Sequence, residues 1–505
     1  MRRLLPLIII AIAIVLSSCK ETANEGLRIA VSQEPVTLDV MVNTSLSGRI
    51  IAVGNIYEKL LVLDSEGRIR PELCSSYTLS EDGRRLEFRL RDALFHNGEH
   101  MRAEDAAASM NRWLSKCSAA RDIVGDSLFK AEDGVLHIES SSSLALLPYL
   151  IASAPQSAVI IPESSVLSEG EDGLIRDAIG TGPYRLSSWS AGESIVLEKA
   201  EGYMKSSSSS DGIWGEKNAY IERLEYFFVP DSVTRRLGLE SGLYDFINDV
   251  MSDDLPSFLS DDRISVHQGG ESGSIALVFN KKEGPGSDPD FRKAVSLALD
   301  KESLMKACYG ETGYSIHSDY MEKEQSIWKT DASDPYADKD IEKARRYLAA
   351  SSYDGRKFRI LTSNLSNLDK IAVAMASELE EIGIACDIIA VDWATMMEKR
   401  KDSSSYDLFI SAFSSVVLPQ MKLYLSPSYP GFFSNAEIES DIVRMGESMT
   451  IEEASEKWKS IQEALWEYIP AIIPGHYITV YASSSSVEDI IIQDGFYFWN
   501  ARKVR

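Results

Sequence analysis

The stretch from Cys386 to Phe413, CDIIAVDWATMMEKRKDSSSYDLFISAF, constrains the fold more than any other part of the chain. Cys386 to Val391 is apolar and β-rich and reads as a buried strand. Asp392 suits a helix N-cap, with Trp393 at the first helical position. The helix runs out in the polar, basic segment Lys399 to Asp402, and Tyr406 to Phe413 is a second buried strand. Strand, helix and strand with short joints imply a right-handed βαβ unit in a parallel sheet. In such sheets ligands sit outside the carboxyl ends of the strands, where Trp393 and the segment Phe413 to Ser415 fall. Periodicity alone slightly favours reading Trp393 and Phe413 as ordinary core aromatics.

A chain of 505 residues exceeds one hydrophobic core, so two or three domains are expected. With 52 basic against 77 acidic residues, nucleic acid and anionic membrane surfaces are poor partners. The N-terminus carries Arg2 and Arg3, an apolar run from Leu4 to Leu16, and then Leu16-Ser17-Ser18-Cys19. The run is short for a bilayer span and ends in small residues, as a signal peptide does. Beyond Cys19 lie Cys74, Cys117, Cys308 and Cys386. If any two bridge, Cys74 with Cys117 is the expected pair, and isolated buried thiols are the favoured reading.

Further along, Leu27 to Val31 reads as a strand and Arg49 to Leu61 as a helix. Asp290 to Cys308 reads as one amphipathic helix, Asp369 to Ile382 as another closed by Gly383, and Ile451 to Tyr468 as a long helix stopped before Pro470. Gly269-Gly270-Glu271-Ser272-Gly273 breaks the pattern ahead of a strand from Ile275 to Asn280, and Ile472 to Tyr481 reads as a return crossing.

Chemistry has no motif behind it. His96 and His100 could be read as metal ligands, but Gly98 between them denies the helix that such spacing needs. Ser303-Leu304-Met305-Lys306 matches S-x-x-K, with neither of its companion motifs following. A secreted serine hydrolase resting on Ser303 and Lys306 is therefore the remote alternative, and no catalytic residue, metal or cofactor is assigned.

Five segments line up in order with one family. They are Leu27 to Ala30 with Glu34 to Asp39; Leu86 to Arg91 through Phe95-His96-Asn97-Gly98 to Asp105; Gly180-Thr181-Gly182-Pro183-Tyr184; Phe291 to Val295 through Ala298-Leu299-Asp300, with Asp340 to Leu348; and Val391-Asp392-Trp393 through Tyr406-Asp407-Leu408. In these the chain resembles the family 5 extracellular solute-binding proteins, the oligopeptide-, dipeptide- and nickel-binding components of ABC importers. Leu-Ser-Ser-Cys likewise resembles a bacterial lipobox, implying cleavage before Cys19 and lipidation of its thiol.

The resemblance implies an α/β fold of the two-lobed periplasmic-binding-protein type II, cluster C, with an extra subdomain on the first lobe. It divides the chain into a signal peptide (1–18), a tether (19–26), lobe I (27–62, 180–268 and 478–505), the extra subdomain (63–179) and lobe II (269–477). It implies a monomer anchored by lipid on the extracytoplasmic side, taking a small-molecule or oligopeptide ligand and handing it to ABC permease and ATPase subunits, with no nucleic acid bound. An oligosaccharide-binding or chemosensory receptor is the alternative within the fold. Carried over residue by residue, Asn43, Thr44 and Ser45 face the ligand from lobe I, and Trp393, Phe413, Ser414 and Ser415 from lobe II. Peptide binders of the family carry an aspartate just past the position of Phe413, whereas this chain has Ser414, Ser415, Val416 and Val417. A buried ammonium needs a counter-charge, so free peptides are expected to bind poorly unless Glu34, Asp392 or Asp407 substitutes.

Overall fold

The structure is a computed structural model and describes residues 26–504. The expectations for the signal peptide and for lipidation at Cys19 lie outside the described residues. No described helix is long and apolar enough to cross a membrane.

The organising feature is one eleven-stranded sheet. In chain order its strands are β1 (Leu27–Val31), β2 (Tyr184–Ser190), β3 (Ser194–Lys199), β4 (Arg223–Phe228), β5 (Phe246–Ile247), β6 (Ile264–Phe279), β7 (Tyr314–Ser315), β8 (Phe358–Ser363), β9 (Cys386–Val391), β10 (Leu408–Ser414) and β11 (Ala471–Ser484). Across the sheet the order is β9-β8-β10-β6-β11-β5-β1-β4-β3-β2, with β7 beside β11. Two half-sheets are thus joined by the two longest strands, β6 and β11, which run antiparallel.

The register fixes which way each half points. β5 begins opposite Ser483 and continues opposite Ala482, so it runs toward the middle of β11. β1 is parallel to β5, and β4 is parallel to β1. β10 begins opposite Phe279 and ends opposite Gly273, so it runs toward the middle of β6. β8 is parallel to β10, and β9 is parallel to β8. The carboxyl ends of both parallel sets therefore face one mid-stretch, Gly269 to Gly273 against Tyr477 to Thr479. Pairing is irregular between Gln268 and Gly273. Gly273 is required there, because a Cβ would stand 2.0 Å from the Phe413 carbonyl oxygen.

Strands of the second half are covered on both faces. In β6, Ile275, Leu277 and Phe279 pack with Phe291, Leu304 and Ile371, while Ala276 and Val278 face the other way, into the cluster holding Trp458 and Tyr424. This is the period of two expected of a strand with both faces buried. Between β1 and β2 the chain inserts a four-stranded antiparallel sheet (Cys74–Leu79, Arg85–Leu90, Val135–Glu139 and Lys130–Glu132) with the helix Ala103–Lys116. Cys74, Cys117, Cys308 and Cys386 are all free thiols, the first three buried.

Three sequence expectations are corrected. The helix expected over 49–61 spans Leu46–Ala52. It stops where Val53 turns extended and Gly54 takes φ +76, with the Trp499 ring against its α-carbon. The single helix expected over 290–308 is two, Pro289–Ala298 and Lys301–Tyr309. Asp300 breaks it, because its N–H donates to Glu378 at 2.6 Å and its carboxylate caps the second helix. β9, expected to be buried, is an edge strand with only half-buried or exposed residues.

Candidate functional site

The mid-stretch of β6 and β11 is where side chains from both half-sheets converge. On the first half, the carboxyl end of β5 continues as Asn248 and Asp249. Asn248 accepts from the Ser32 N–H at 2.9 Å, and the Asp249 carboxylate accepts from the Ser32 hydroxyl and from Asn248 Nδ2. Asp249 has φ +50, a conformation unfavourable for a residue with a Cβ. Among the described residues no cation lies within ion-pair distance of its carboxylate.

Arg49, on the helix Leu46–Ala52, approaches the same place. Its Nη2 donates to the Asp494 carbonyl at 3.1 Å, while its buried Nε has no partner. Arg49 and Asp249 both act on the Tyr481 phenol: burial raises its pKa most, Asp249 adds to the rise and Arg49 opposes it. Tyr477 is also raised, chiefly by burial, against a hydrogen bond from Ser414 and the charge of Arg49. Both phenols are therefore neutral hydrogen-bonding groups between the two halves.

The second half offers a different wall. Glu322 and Lys422 form an ion pair at 2.7 Å with both side chains 1% exposed. Ser415 Oγ lies 3.2 Å from Glu322 and 3.1 Å from Gln325 Nε2. A carboxylate thus stands beside the segment that lacks one in sequence, but Lys422 already neutralises it.

The residues expected from sequence fall into two groups. Trp393 is 39% exposed at the start of its helix, and Ser414 is exposed at the end of β10. Both lie on the carboxyl edge of the second half. Trp393 and Phe413 are not neighbours, since β8 separates β9 from β10 by two strand spacings, roughly 10 Å. Phe413 is packed as a core aromatic, edge-on to Tyr424 at 5.0 Å and to Tyr429 at 6.1 Å. On the first half, Thr44 is exposed. The Asn43 amide donates to the Thr37 carbonyl at 2.6 Å and accepts from Ser45 N–H, and Ser45 Oγ accepts from Gly48 N–H as an N-cap. Asn43 and Ser45 thus spend their side chains on shaping the loop.

None of the three substitute carboxylates is free. Glu34 accepts from Trp189 Nε1 at 2.8 Å and from Gly192 N–H at 3.0 Å. Asp392 accepts from the Thr395 N–H and hydroxyl. Asp407 is buried at the amino end of β10, bidentate to Arg356 and also bound by Arg359. The other candidate chemistries disperse as well. His96 Nε2 pairs with the Gly182 carbonyl and His100 with Asp92. Lys306 is held above the ordinary lysine range by its hydrogen bond to Glu311, so it is a charged group and no base for Ser303.

Sequence reasoning missed Asp249, Arg49, Tyr477 and Tyr481. Asp249 had a signal, a polar pair directly after the short apolar strand Phe246–Ile247. Arg49 had none, because its neighbours come from the far end of the chain.

Against known proteins, residues 68–434 match the family described as bacterial extracellular solute-binding proteins, family 5. The "Probable peptide ABC transporter periplasmic-binding protein" of Sinorhizobium fredii is 24% identical, with 89% of this chain and 88% of that protein covered. The glutathione-binding protein of Salmonella typhi is 23% identical over 89% of this chain and 88% of its own. Among solved structures, the ABC transporter substrate-binding protein CtaP of Listeria monocytogenes superposes with a TM-score of 0.80 at 18% identity, covering 94% of this chain and all of that one (100%). Its neighbours share the type II periplasmic-binding-protein fold expected from sequence. The match spans most of the chain, and the two half-sheets joined by β6 and β11 give it physical form: the chain belongs to the family 5 bacterial extracellular solute-binding proteins.

Proposed function

We propose that the protein is the lipid-anchored substrate-binding component of an ABC importer, capturing a small peptide-like solute between two hinged lobes and delivering it to the permease. The observation that carries this reading is the register, which aims the carboxyl ends of two parallel half-sheets at one mid-stretch of two crossing strands. Ligands of open α/β sheets bind at that kind of edge. Capture is then a binding equilibrium coupled to closure, and ligand favours the closed form by touching both halves. The relatives' own names, peptide and glutathione, supply the ligand class.

In this reading 27–62, 180–268 and 478–505 make up lobe I, 63–179 its extra subdomain and 269–477 lobe II, with the two crossings assigned to β6 and β11. Away from the crossings, the extra subdomain touches lobe II through Ser143 Oγ, which donates to the Ser448 carbonyl at 2.6 Å. Beside that hydrogen bond lies a cavity of about 540 Å³ walled by Tyr77, Pro148 and Tyr149 on one side and Ile327 and Ile451 on the other. These surfaces must part for lobe II to swing open.

The expectation that free peptides bind poorly rests on Ser414 to Val417. Asp249 changes it, offering an unpaired carboxylate from lobe I for an ammonium, while Arg49 suits an anionic group of the same ligand. Trp393, Thr44 and Ser414 complete the wall with an apolar ring and hydroxyls. Cys19 supplies the lipid attachment. Small-angle scattering tests the clamp: saturating a tightly bound peptide should reduce the radius of gyration. A tight ligand that leaves the shape unchanged would refute hinge closure.

A further inference from the structure

Where β6, β7 and β11 meet, three metal-ligating side chains come together that the solute-binding role does not use. Glu271 stands on β6, His476 on β11, and His317 two residues past β7. One ligand atom from each lies within 4.8 Å of the others. Glu271 Oε1 is 2.9 Å from His317 Nε2. The Glu271 side chain is fully buried and also accepts from the Lys323 N–H at 2.8 Å.

His476 is the unusual member. It is 0% exposed, yet neither ring nitrogen has a hydrogen-bond partner. Buried imidazole nitrogens are ordinarily satisfied, and an orphaned one keeps its full desolvation penalty. Its ring stacks on His317 with centroids 3.9 Å apart and 11° between planes. Asp319 Oδ2 lies 3.5 Å from the other nitrogen of His317, which is buried without a hydrogen-bond partner.

We propose that Glu271, His317 and His476 form a binding site for one divalent transition-metal ion at the strand crossing. Two imidazoles and a carboxylate are a borderline donor set that suits Zn²⁺ and its neighbours and leaves a position for water or a ligand group. Parallel stacked rings cannot aim both lone pairs at one point. The ion is therefore met by turning the His317 ring, the partly exposed one, about its side-chain torsions. The ion then takes the place of the proton shared between His317 and Glu271, and one orphaned nitrogen of His476 gains its partner. Because its ligands come from both crossing strands, a bound ion would tie them together at the hinge.

The test uses the full soluble chain, stripped with chelator and titrated with Zn²⁺ by calorimetry and with Co²⁺ by visible absorption. One ion per chain at micromolar or tighter affinity is expected, with cobalt bands of a four- or five-coordinate site. His317→Ala and Glu271→Gln should each weaken binding at least tenfold, and His100→Ala should leave it unchanged. Thermal unfolding without metal verifies that each variant folds. His317→Ala is the decisive one, because its ring is partly exposed and its loss leaves the core intact. No binding by the wild type, or equal binding by His317→Ala, overturns the site.

Discussion

Replacing Asp407 with Asn separates a structural carboxylate from a ligand-binding one. In the sequence Asp407 sits in the Tyr-Asp pair that carries the family resemblance, and it is a candidate counter-charge for a bound ammonium. In the structure its side chain is 0% exposed and takes four side-chain hydrogen bonds from Arg356 and Arg359 at 2.6 to 3.2 Å, plus the Arg359 N–H at 2.8 Å. Burial raises its pKa, but the hydrogen bonds from Arg356 and Arg359 outweigh it, and the carboxyl stays below the ordinary aspartate range. Breaking a buried ion pair costs about 3–5 kcal/mol. The two arginines are 35% and 29% exposed, so water recovers part of that. A destabilisation of roughly 2–4 kcal/mol at pH 7 is expected. A depressed carboxyl pKa stabilises the fold above about pH 3.9 and stops doing so as pH falls through the folded value. Wild type and Asp407→Asn should therefore converge in stability in acid. Urea unfolding at pH 7 and at stepwise lower pH reads this, with the slope against urea unchanged. Ligand affinity should be unaltered, because Asp407 lies at the amino end of β10, away from the cleft. A variant that keeps its stability and loses its ligand would refute the structural role.

Two further outcomes follow. Trp393→Ala should weaken ligand binding by roughly 1–3 kcal/mol by calorimetry, the scale of removing a large apolar side chain from a ligand's surface, with little change in unfolding midpoint because the ring is 39% exposed. Cys19→Ser should release the protein from membranes in fractionation without changing its thermal unfolding, whereas continued membrane partitioning would contradict lipid attachment.

Much of the fold was legible because local signals agreed with the packing. Thr450 caps the helix Ile451–Tyr468 by accepting from Glu453 N–H, and Pro470 follows its end, so both boundaries are read from the chain. Asp392 caps its helix in the same way. The errors arose where long-range interactions overrode periodicity. Apolar spacing continues from Asp290 to Cys308, and only the Glu378 carboxylate waiting for the Asp300 N–H shows why the helix breaks. The first part of β6, Ile264 to Gln268, alternates Ile264 and Val266 with polar residues in a stretch too short and too little buried to stand out, and it is held as strand by pairing with Val480 to Ser484. The candidate site was legible only in part. Trp393 and Ser414 follow from the βαβ unit, which places them at a carboxyl edge. Arg49 beside Asp494, Lys422 beside Glu322 and Asp249 beside Ser32 are meetings of residues far apart in sequence, and single-chain patterns carry no trace of them.

The central claim is that a charged, peptide-like solute is held at the mid-stretch with Asp249 as its counter-charge. Calorimetry of wild type and Asp249→Asn against unblocked tripeptides, their N-acetylated forms and an oligosaccharide panel tests it most directly. Unblocked tripeptides should bind wild type at micromolar affinity or tighter, acetylation should weaken them at least tenfold, and Asp249→Asn should erase that difference. Equal binding of blocked and unblocked peptides to wild type, or an oligosaccharide that binds more tightly than any peptide, would contradict it.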